Sequence, residues 1–255
     1  MPPNAALHGI AVDQLMRWNL IALLACFAAA HLWLIAALFR KNRASVPSPA
    51  GESQPQPSAA GAQRSSWSVS WILLPLLCAM YAWMAITAQR LWAANRFEGA
   101  SPESMQVEVV GQQFQWYFRY PGADAAFGTT RPQLVNAAAG NPLGLDPKDP
   151  RGNDDLVSSV LVLPVGREVD LRIRSLDVIH GFFIPAMRLK QNAVPGLVLH
   201  VHFTPIAVGT YPILCSQVCG LGHARMQAEL RVVSPAAYQD WLTARERQHA
   251  QETAQ

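Results

Sequence analysis

The sequence predicts an α+β membrane protein, in which an N-terminal two-helix transmembrane hairpin precedes an outer β-sandwich or barrel. Hydrophobic residues make up 51% of the 255 residues, and two long apolar runs near the N-terminus contain many of them. Beyond these runs, short apolar segments alternate with turn residues, which is typical of β-strands. We place the helical part at residues 1–96 and the outer domain at residues 97–255.

The two apolar runs cover residues 19–39 and 71–88. Apart from Asn19 and His31 the first run is apolar throughout, and it is long enough to cross a hydrocarbon core of about 30 Å. The second run is shorter and contains Pro75, which membrane helices tolerate. Both are predicted to span a membrane.

The segment between the runs, residues 40–70, is rich in Ser, Pro, Gln, Ala and Gly and is predicted to be a flexible cytoplasmic linker. Its basic residues outnumber its single acidic residue, Glu52. Because basic residues stay on the cytoplasmic side, both termini and the outer domain are expected on the opposite, periplasmic side. We therefore expect a multi-pass protein of a bacterial inner membrane, in contact with lipid.

The outer domain shows five alternating segments of β character, at residues 107–109, 160–165, 169–173, 197–203 and 229–233. Residues 136–155 are dense in Gly, Pro, Asn and Asp and are predicted to form a long surface loop. Ser234 and Pro235 predict the start of a terminal helix that ends near Arg247.

The net charge of +3 is unevenly distributed. Residues 97–255 carry 15 acidic and 13 basic side chains, a net charge of −2. Since the outer domain has no basic stripe, nucleic acid is not an expected partner.

Cysteine, histidine and methionine cluster at one place in the outer domain. Between Cys215 and Met226 the chain reads Cys-Ser-Gln-Val-Cys-Gly-Leu-Gly-His-Ala-Arg-Met, and His180 ends an upstream Asp-Val-Ile-His. Thiolate, imidazole and thioether are ligands that copper prefers, whereas zinc seldom uses methionine. In an oxidising compartment the two cysteines of this loop could instead form a disulfide. The close spacing of His223 and Met226 favours copper, and a second thiolate allows two bridged copper ions.

This segment resembles the CuA loop of cytochrome c oxidase subunit II, and the resemblance extends over most of the chain. It implies a cupredoxin-type Greek-key fold. It also implies that electrons from a cytochrome c pass through two copper ions to haem in subunit I, where oxygen is reduced. Subunit I and other oxidase subunits are the implied partners.

The resemblance also assigns the ligands. Cys215 and Cys219 would bridge the two copper ions, and His180 and His223 would each bind one of them. Met226 would be a weak axial ligand.

Gln217 stands where the family has a glutamate. That residue binds copper through its backbone carbonyl and helps to bind magnesium through its side chain. Glutamine keeps the carbonyl but lacks the charge, so a magnesium contact is expected to be weaker or absent.

An aromatic segment, Gly-Gln-Gln-Phe-Gln-Trp-Tyr-Phe-Arg-Tyr, begins at Gly111 and resembles the family sequence Gly-His-Gln-Trp-Tyr-Trp. Phe114 stands where the family has the tryptophan through which electrons enter. Trp116, expected on the same strand face, is predicted to share this role. Asp177, three residues before His180, is expected to accept a hydrogen bond and orient the site.

Two other functions remain open at the level of sequence. The CuA subunit of a nitric oxide reductase would share the loop but serve another substrate. A membrane-anchored copper carrier would need an exposed, exchangeable site, whereas five ligands in one folded region indicate a retained metal. The chain has no Cys-x-x-Cys-His haem attachment motif, so the electron donor is expected to be a separate protein.

Overall fold

The computed structural model describes residues 2–44 and 59–253. Two long helices come first, α1 (Leu7–Ala44) and α2 (Ala59–Arg96). Ten strands follow, and helix α3 (Pro235–Thr253) comes last. The strands are β1 (Met105–Gln112), β2 (Gln115–Tyr120), β3 (Leu156–Ser158), β4 (Val160–Pro164), β5 (Val169–Ser175), β6 (His180–Ile184), β7 (Leu189–Ala193), β8 (Leu199–Phe203), β9 (Gly209–Cys215) and β10 (Gln227–Val233).

The strands form two five-stranded sheets, which confirms the predicted β-sandwich. One sheet has the order β3-β2-β1-β5-β8 and the other has the order β4-β10-β9-β6-β7. β1 pairs parallel with β5, and β10 pairs parallel with β4. All five predicted β segments lie in strands, with ends shifted by a few residues.

Alternating apolar side chains from both sheets form the core. In β1 they are Val107 and Val109, and in β5 they are Leu171 and Ile173, all four fully buried. These alternate positions face the opposite sheet, as a two-layer sandwich requires. The core continues to the end of the domain that carries His180 through the aromatic rings Trp116, Phe118 and Phe182.

The N-terminal segment belongs to the β-domain. The chain divides into one compact unit of residues 1–12 and 92–255 and another of residues 13–91. Ala5 and Ala6 are buried in the first unit. The backbone N–H of Ala5 donates to Ala186 (2.8 Å), and that of Ile206 donates to Ala5 (2.9 Å). The sequence analysis assigned these residues to the helical part, because two alanines carry no signal of their own.

The helices extend beyond the predicted spans. Residues 40–44 and 59–70, predicted as flexible linker, are helical, since a continuing helix satisfies each backbone N–H internally. Residues 45–58 of that linker lie outside the described residues. Within the described residues, Leu7–Phe39 is the one helical stretch identified as long and apolar enough to cross a membrane. The second span, 71–88, lies inside α2 and stays a prediction.

The N-terminal end of α3 agrees with the prediction. The backbone N–H of Ala237 donates to the Ser234 hydroxyl (3.2 Å), and Pro235 occupies the first turn. The helix continues to Thr253, six residues beyond the predicted end near Arg247.

The predicted surface loop has a buried polar base. Arg119 contacts Glu108 (2.9 Å) and Asp155 (3.2 Å), and Arg174 contacts the other oxygen of Glu108 (3.0 Å). Glu108, Arg119 and Asp155 are at most 3% exposed, and the Arg119 guanidinium lies 4.8 Å from the centre of the Phe127 ring. Burial raises the pKa of Asp155 to about 6, although the Gly128 N–H and the Arg119 charge oppose the rise. The loop is therefore fastened to the outer face of β1 and β2.

We predict that Arg119→Leu lowers the free energy of unfolding by about 3–5 kcal/mol, because two buried carboxylates lose their common partner. Arg231→Leu is the matched control. Arg231 pairs with Glu229 (2.7 Å) at the surface, with the two side chains 54% and 45% exposed, and its loss should cost about 1 kcal/mol or less. Urea denaturation of the full chain in detergent measures both values. Equal losses would contradict a stabilising role for the buried cluster.

Candidate metal centre

The candidate site lies at one end of the second sheet, where two strands bring distant residues together. His180 is the first residue of β6 and Cys215 is the last residue of β9. The two strands pair antiparallel, with Phe182 opposite Cys215. Sheet pairing therefore places the first histidine beside the first cysteine.

The remaining candidate ligands lie on the loop between β9 and β10, which is closed by backbone hydrogen bonds. The N–H of Cys215 donates to Met226 (3.1 Å) at the base of the loop. The N–H of Ser216 donates to Gly181 (2.8 Å) and so ties the loop to β6. A short 3-10 turn, His223–Arg225, then returns the chain to β10. The loop is thus held at both ends and against the neighbouring strand.

The sulfur and nitrogen atoms of this loop converge. Cys219 Sγ lies 3.8 Å from Cys215 Sγ, 3.7 Å from His223 Nδ1 and 3.8 Å from Met226 Sδ. The ligand atoms of His180, Cys215 and Cys219 all lie within 4.8 Å of one another. Both cysteines are free thiols, and their separation is well beyond the ~2.05 Å of a disulfide. The structure therefore brings together every residue that the sequence analysis assigned as a ligand through its side chain.

His180 presents one nitrogen to this cluster. Its imidazole is fully buried, and Nε2 lies 2.8 Å from Asp177 Oδ1. Nδ1 is buried and has no hydrogen-bond partner among the described residues. A buried polar atom without a partner is costly, so this nitrogen fits a metal ligand. Asp177 orients the ring, as expected from the sequence.

The pKa values of two groups reflect the same packing. Burial resists ionisation of Asp177, but hydrogen bonds from the Gln113 N–H, His180 and the Val178 N–H outweigh it and lower its pKa. Burial, aided by the hydrogen bond and charge of Cys215, raises the pKa of the Cys219 thiol to about 11. A bound metal would displace that thiol proton, because the thiolate is the ligand. The soft donor set fits copper.

Gln217 contributes its backbone to the cluster. Its carbonyl oxygen lies 3.1 Å from Cys215 Sγ, so the carbonyl is close enough to belong to the same site. The residue itself is exposed on the loop surface.

The two aromatic residues predicted to share one strand face lie in different environments, so that prediction is wrong. Phe114 lies in the turn between β1 and β2 and is 38% exposed. It packs on Gly220 and Gly222 of the loop between β9 and β10, which we call the metal loop. Trp116 is in β2 and fully buried, with its ring centre 5.8 Å from that of His180. The turn interrupts the strand alternation, so Phe114 reaches the surface while Trp116 lies behind the histidine.

Three residues that the sequence analysis did not single out shape the site. The side chain of Gln113 donates to the Cys219 carbonyl (2.7 Å). A Cβ atom on Gly222 would lie 2.4 Å from the Phe114 ring, and one on Gly111 would lie 2.9 Å from the His180 ring. The Gly-Leu-Gly sequence was a signal for such close approach, whereas the Gln113 contact depends on tertiary structure.

We predict that Gly111→Ala destabilises the domain by about 1–3 kcal/mol, since an added methyl group overpacks the space between His180 and Trp116. Copper retention should fall with it, because His180 must move. Gly152→Ala is the control, since its Cβ would meet its nearest atoms at 3.4 Å and 3.7 Å, which is ordinary contact. Urea denaturation and copper content after dialysis test both variants. A Gly111→Ala protein as stable and as copper-rich as the control would refute the tight packing.

The family match and the related proteins all indicate one family. Residues 105–233 match the family described as cytochrome c oxidase subunit II, periplasmic domain. The chain is 39% identical over 160 residues to the alternative cytochrome c oxidase subunit 2 of Bradyrhizobium diazoefficiens. The alignment covers 62% of this chain and 57% of that protein. It is 27% identical over 188 residues to cytochrome c oxidase subunit 2 of Cereibacter sphaeroides. That alignment covers 70% of this chain and 60% of that protein.

These matches span less than two thirds of the length of either relative. Among solved structures, the periplasmic domain of subunit II of cytochrome oxidase (CoxB) of Bradyrhizobium japonicum aligns with a TM-score of 0.44 and 25% identity. That alignment covers 59% of this chain and 99% of that one. The matched family and both relatives are described as cytochrome c oxidase subunit II.

Proposed function

Since the chain belongs to the cytochrome c oxidase subunit II family, we propose that it is the electron-accepting subunit of a haem-copper terminal oxidase. It takes electrons one at a time from a cytochrome c and delivers them to haem in subunit I, where oxygen is reduced. The observation that carries this proposal is the cluster of sulfur and nitrogen atoms around Cys219 Sγ. The sulfur of Cys215, the Nδ1 of His223 and the sulfur of Met226 all lie within 3.8 Å of it. The ligand atoms of His180 and the two cysteines lie within 4.8 Å of one another.

Bound copper supplies a one-electron carrier, and the residues of the chain hold it. Cys215 and Cys219 would hold the copper through their sulfurs, and His180 and His223 through their imidazoles. Met226 would contribute its thioether and Gln217 its backbone carbonyl.

The surroundings of these ligands suit electron transfer. His180, Cys219 and Met226 are at most 6% exposed, which keeps bulk water away from the metal. Backbone hydrogen bonds fix the loop at both ends. A site with little freedom to move reorganises little between oxidation states, which favours fast transfer.

The residues of the site are less suited to binding magnesium than copper. Gln217 offers a neutral amide where the family has a carboxylate, and Mg²⁺ is held mainly by carboxylate oxygens and water. We therefore assign no magnesium contact to its side chain.

The domain is anchored to the membrane so that both chain termini lie on its own, periplasmic side. Residues 1–12 and 92–255 belong to one compact unit. The chain therefore leaves this unit in the first turns of α1 and returns to it in the last turn of α2. Such a path needs an even number of crossings. Leu7–Phe39 supplies one, and residues 71–88 of α2 supply the second. The basic linker between them lies on the cytoplasmic side.

Phe114 marks the place where electrons enter. It is the exposed aromatic residue next to the metal loop, and its ring lies on the two glycines that flank Leu221. Leu221 and Val218 of the same loop are also strongly exposed. This apolar surface, close to the ligands, suits the approach of a cytochrome c. Trp116 lies behind His180 and acts as rigid backing.

We predict that the full chain, purified in detergent and loaded with copper, binds two copper ions and is purple. Met226→Leu should keep both ions but change the reduction potential, because the thioether is a weak ligand. Cys215→Ser or Cys219→Ser should abolish the binuclear centre. Cys26→Ser is the control, since Cys26 is an exposed thiol of α1 far from the cluster in sequence. Metal analysis and the visible spectrum decide; one copper ion with a mononuclear blue spectrum would refute the proposal.

We predict that Phe114→Ala lowers the saturating rate of copper reduction by cytochrome c about tenfold. Without the ring a gap opens between the donor and the copper site, and a small increase in that separation lowers the transfer rate strongly. Copper content should not change. Phe97→Ala is the control, since Phe97 is 68% exposed and lies outside the site. Stopped-flow reduction of the assembled oxidase measures both rates. Trp116→Ala is a poor test, since losing a fully buried tryptophan costs about 3–5 kcal/mol.

A further inference from the structure

The turn between β1 and β2 contacts both chain segments that carry candidate metal ligands, and Gln113 makes a hydrogen bond to each segment. The backbone N–H of Gln113 donates to Asp177 Oδ2 (2.7 Å). Its side-chain Nε2 donates to the backbone carbonyl of Cys219 (2.7 Å). The partners lie 64 and 106 residues away in sequence, so the contacts depend entirely on tertiary structure.

Each contact leads directly to a ligand. Asp177 uses its other oxygen to hold His180 Nε2 at 2.8 Å. Cys219 is itself one of the two cysteines of the cluster. Gln113 therefore connects the histidine from β6 with the cysteine loop after β9 through two hydrogen bonds.

The metal loop leaves space for this arrangement. A Cβ atom on Gly220 would lie 2.9 Å from Gln113 Nε2 and 3.0 Å from Phe114 Cζ. Gly220 has a φ of +141°, a backbone conformation that favours glycine. The glycine thus permits both the amide of Gln113 and the ring of Phe114 to lie directly on the loop.

We propose that Gln113 is a positioning residue for electron transfer into the copper site, which holds Phe114 and the metal loop at a fixed separation and tunes the site through the Cys219 carbonyl. This inference rests on the proposed function. A neutral amide is suited to the task, since it donates a hydrogen bond without adding charge beside the ligands. Its N–H dipole also offsets the negative end of the carbonyl of a candidate ligand residue.

The test compares Gln113→Met with Gln115→Met in the assembled oxidase. Both variants replace a glutamine of the same hairpin with an apolar side chain of similar length. Gln115 is exposed, and no side-chain hydrogen bond is seen for it among the described residues. Copper content, visible spectrum, reduction potential and the saturating rate of reduction by cytochrome c are measured for each.

For Gln113→Met we expect unchanged docking affinity and a saturating rate about tenfold lower, because the exposed ring loses its fixed position over the loop. The reduction potential should fall, since the carbonyl dipole of Cys219 loses the donor that offsets it. Gln115→Met should match the wild type in all four properties. Equal rates and potentials in the two variants would overturn the proposal, while a wild-type protein without a binuclear copper spectrum would overturn the proposed function instead.

Loss of copper from Gln113→Met calls for a second variant, Gln113→His, whose neutral imidazole N–H can donate to the same carbonyl. Recovery of copper and of most of the transfer rate in this variant supports the positioning role. If the histidine variant is as defective as the methionine variant, the hydrogen bond is not what matters and the proposal fails.

Discussion

The antiparallel pairing of β6 with β9 is the contact on which the metal site depends. It places His180 and Cys215 at the same end of one sheet, and the hydrogen bond from Ser216 to Gly181 continues the pairing into the loop. A slip of this register by one residue would turn His180 to the opposite face of the sheet. The ligands of the loop could not then enclose the imidazole, so the site requires the register that the core side chains of β6 impose.

Core packing enforces that register. Phe182 and Ile184 of β6 are fully buried, and the ring of Phe182 meets that of Trp116 edge-on at 5.2 Å. Trp116 in turn contacts His180, so the aromatic core and the candidate ligand form one continuous group. The stability of the sandwich and the geometry of the site are therefore coupled, and a large-to-small change in this core would disturb both.

Buried ion pairs and exposed apolar side chains lie in different parts of the β-domain. The buried ionic cluster of Glu108, Arg119 and Asp155 lies at the base of the 136–155 loop and fastens that loop to the first sheet. Around the cysteine loop, by contrast, exposed Phe114, Val218 and Leu221 are apolar. Ion pairs therefore fasten a long loop, whereas apolar side chains cover the buried candidate ligands.

The sequence by itself determined the donor set, the strand pattern and the helical start of the chain, because these are local. Ligand spacing between Cys215 and Met226 lies within one loop, and alternation within each strand reflects which face is buried. Tertiary structure alone decided that Phe114 lies at the surface while Trp116 is buried, since a turn between them breaks the alternation that sequence reasoning extended. It also decided that Ala5 and Ala6 belong to the β-domain and that Gln113 holds Cys219, since hydrogen bonds between distant backbone segments leave no periodic pattern in the sequence.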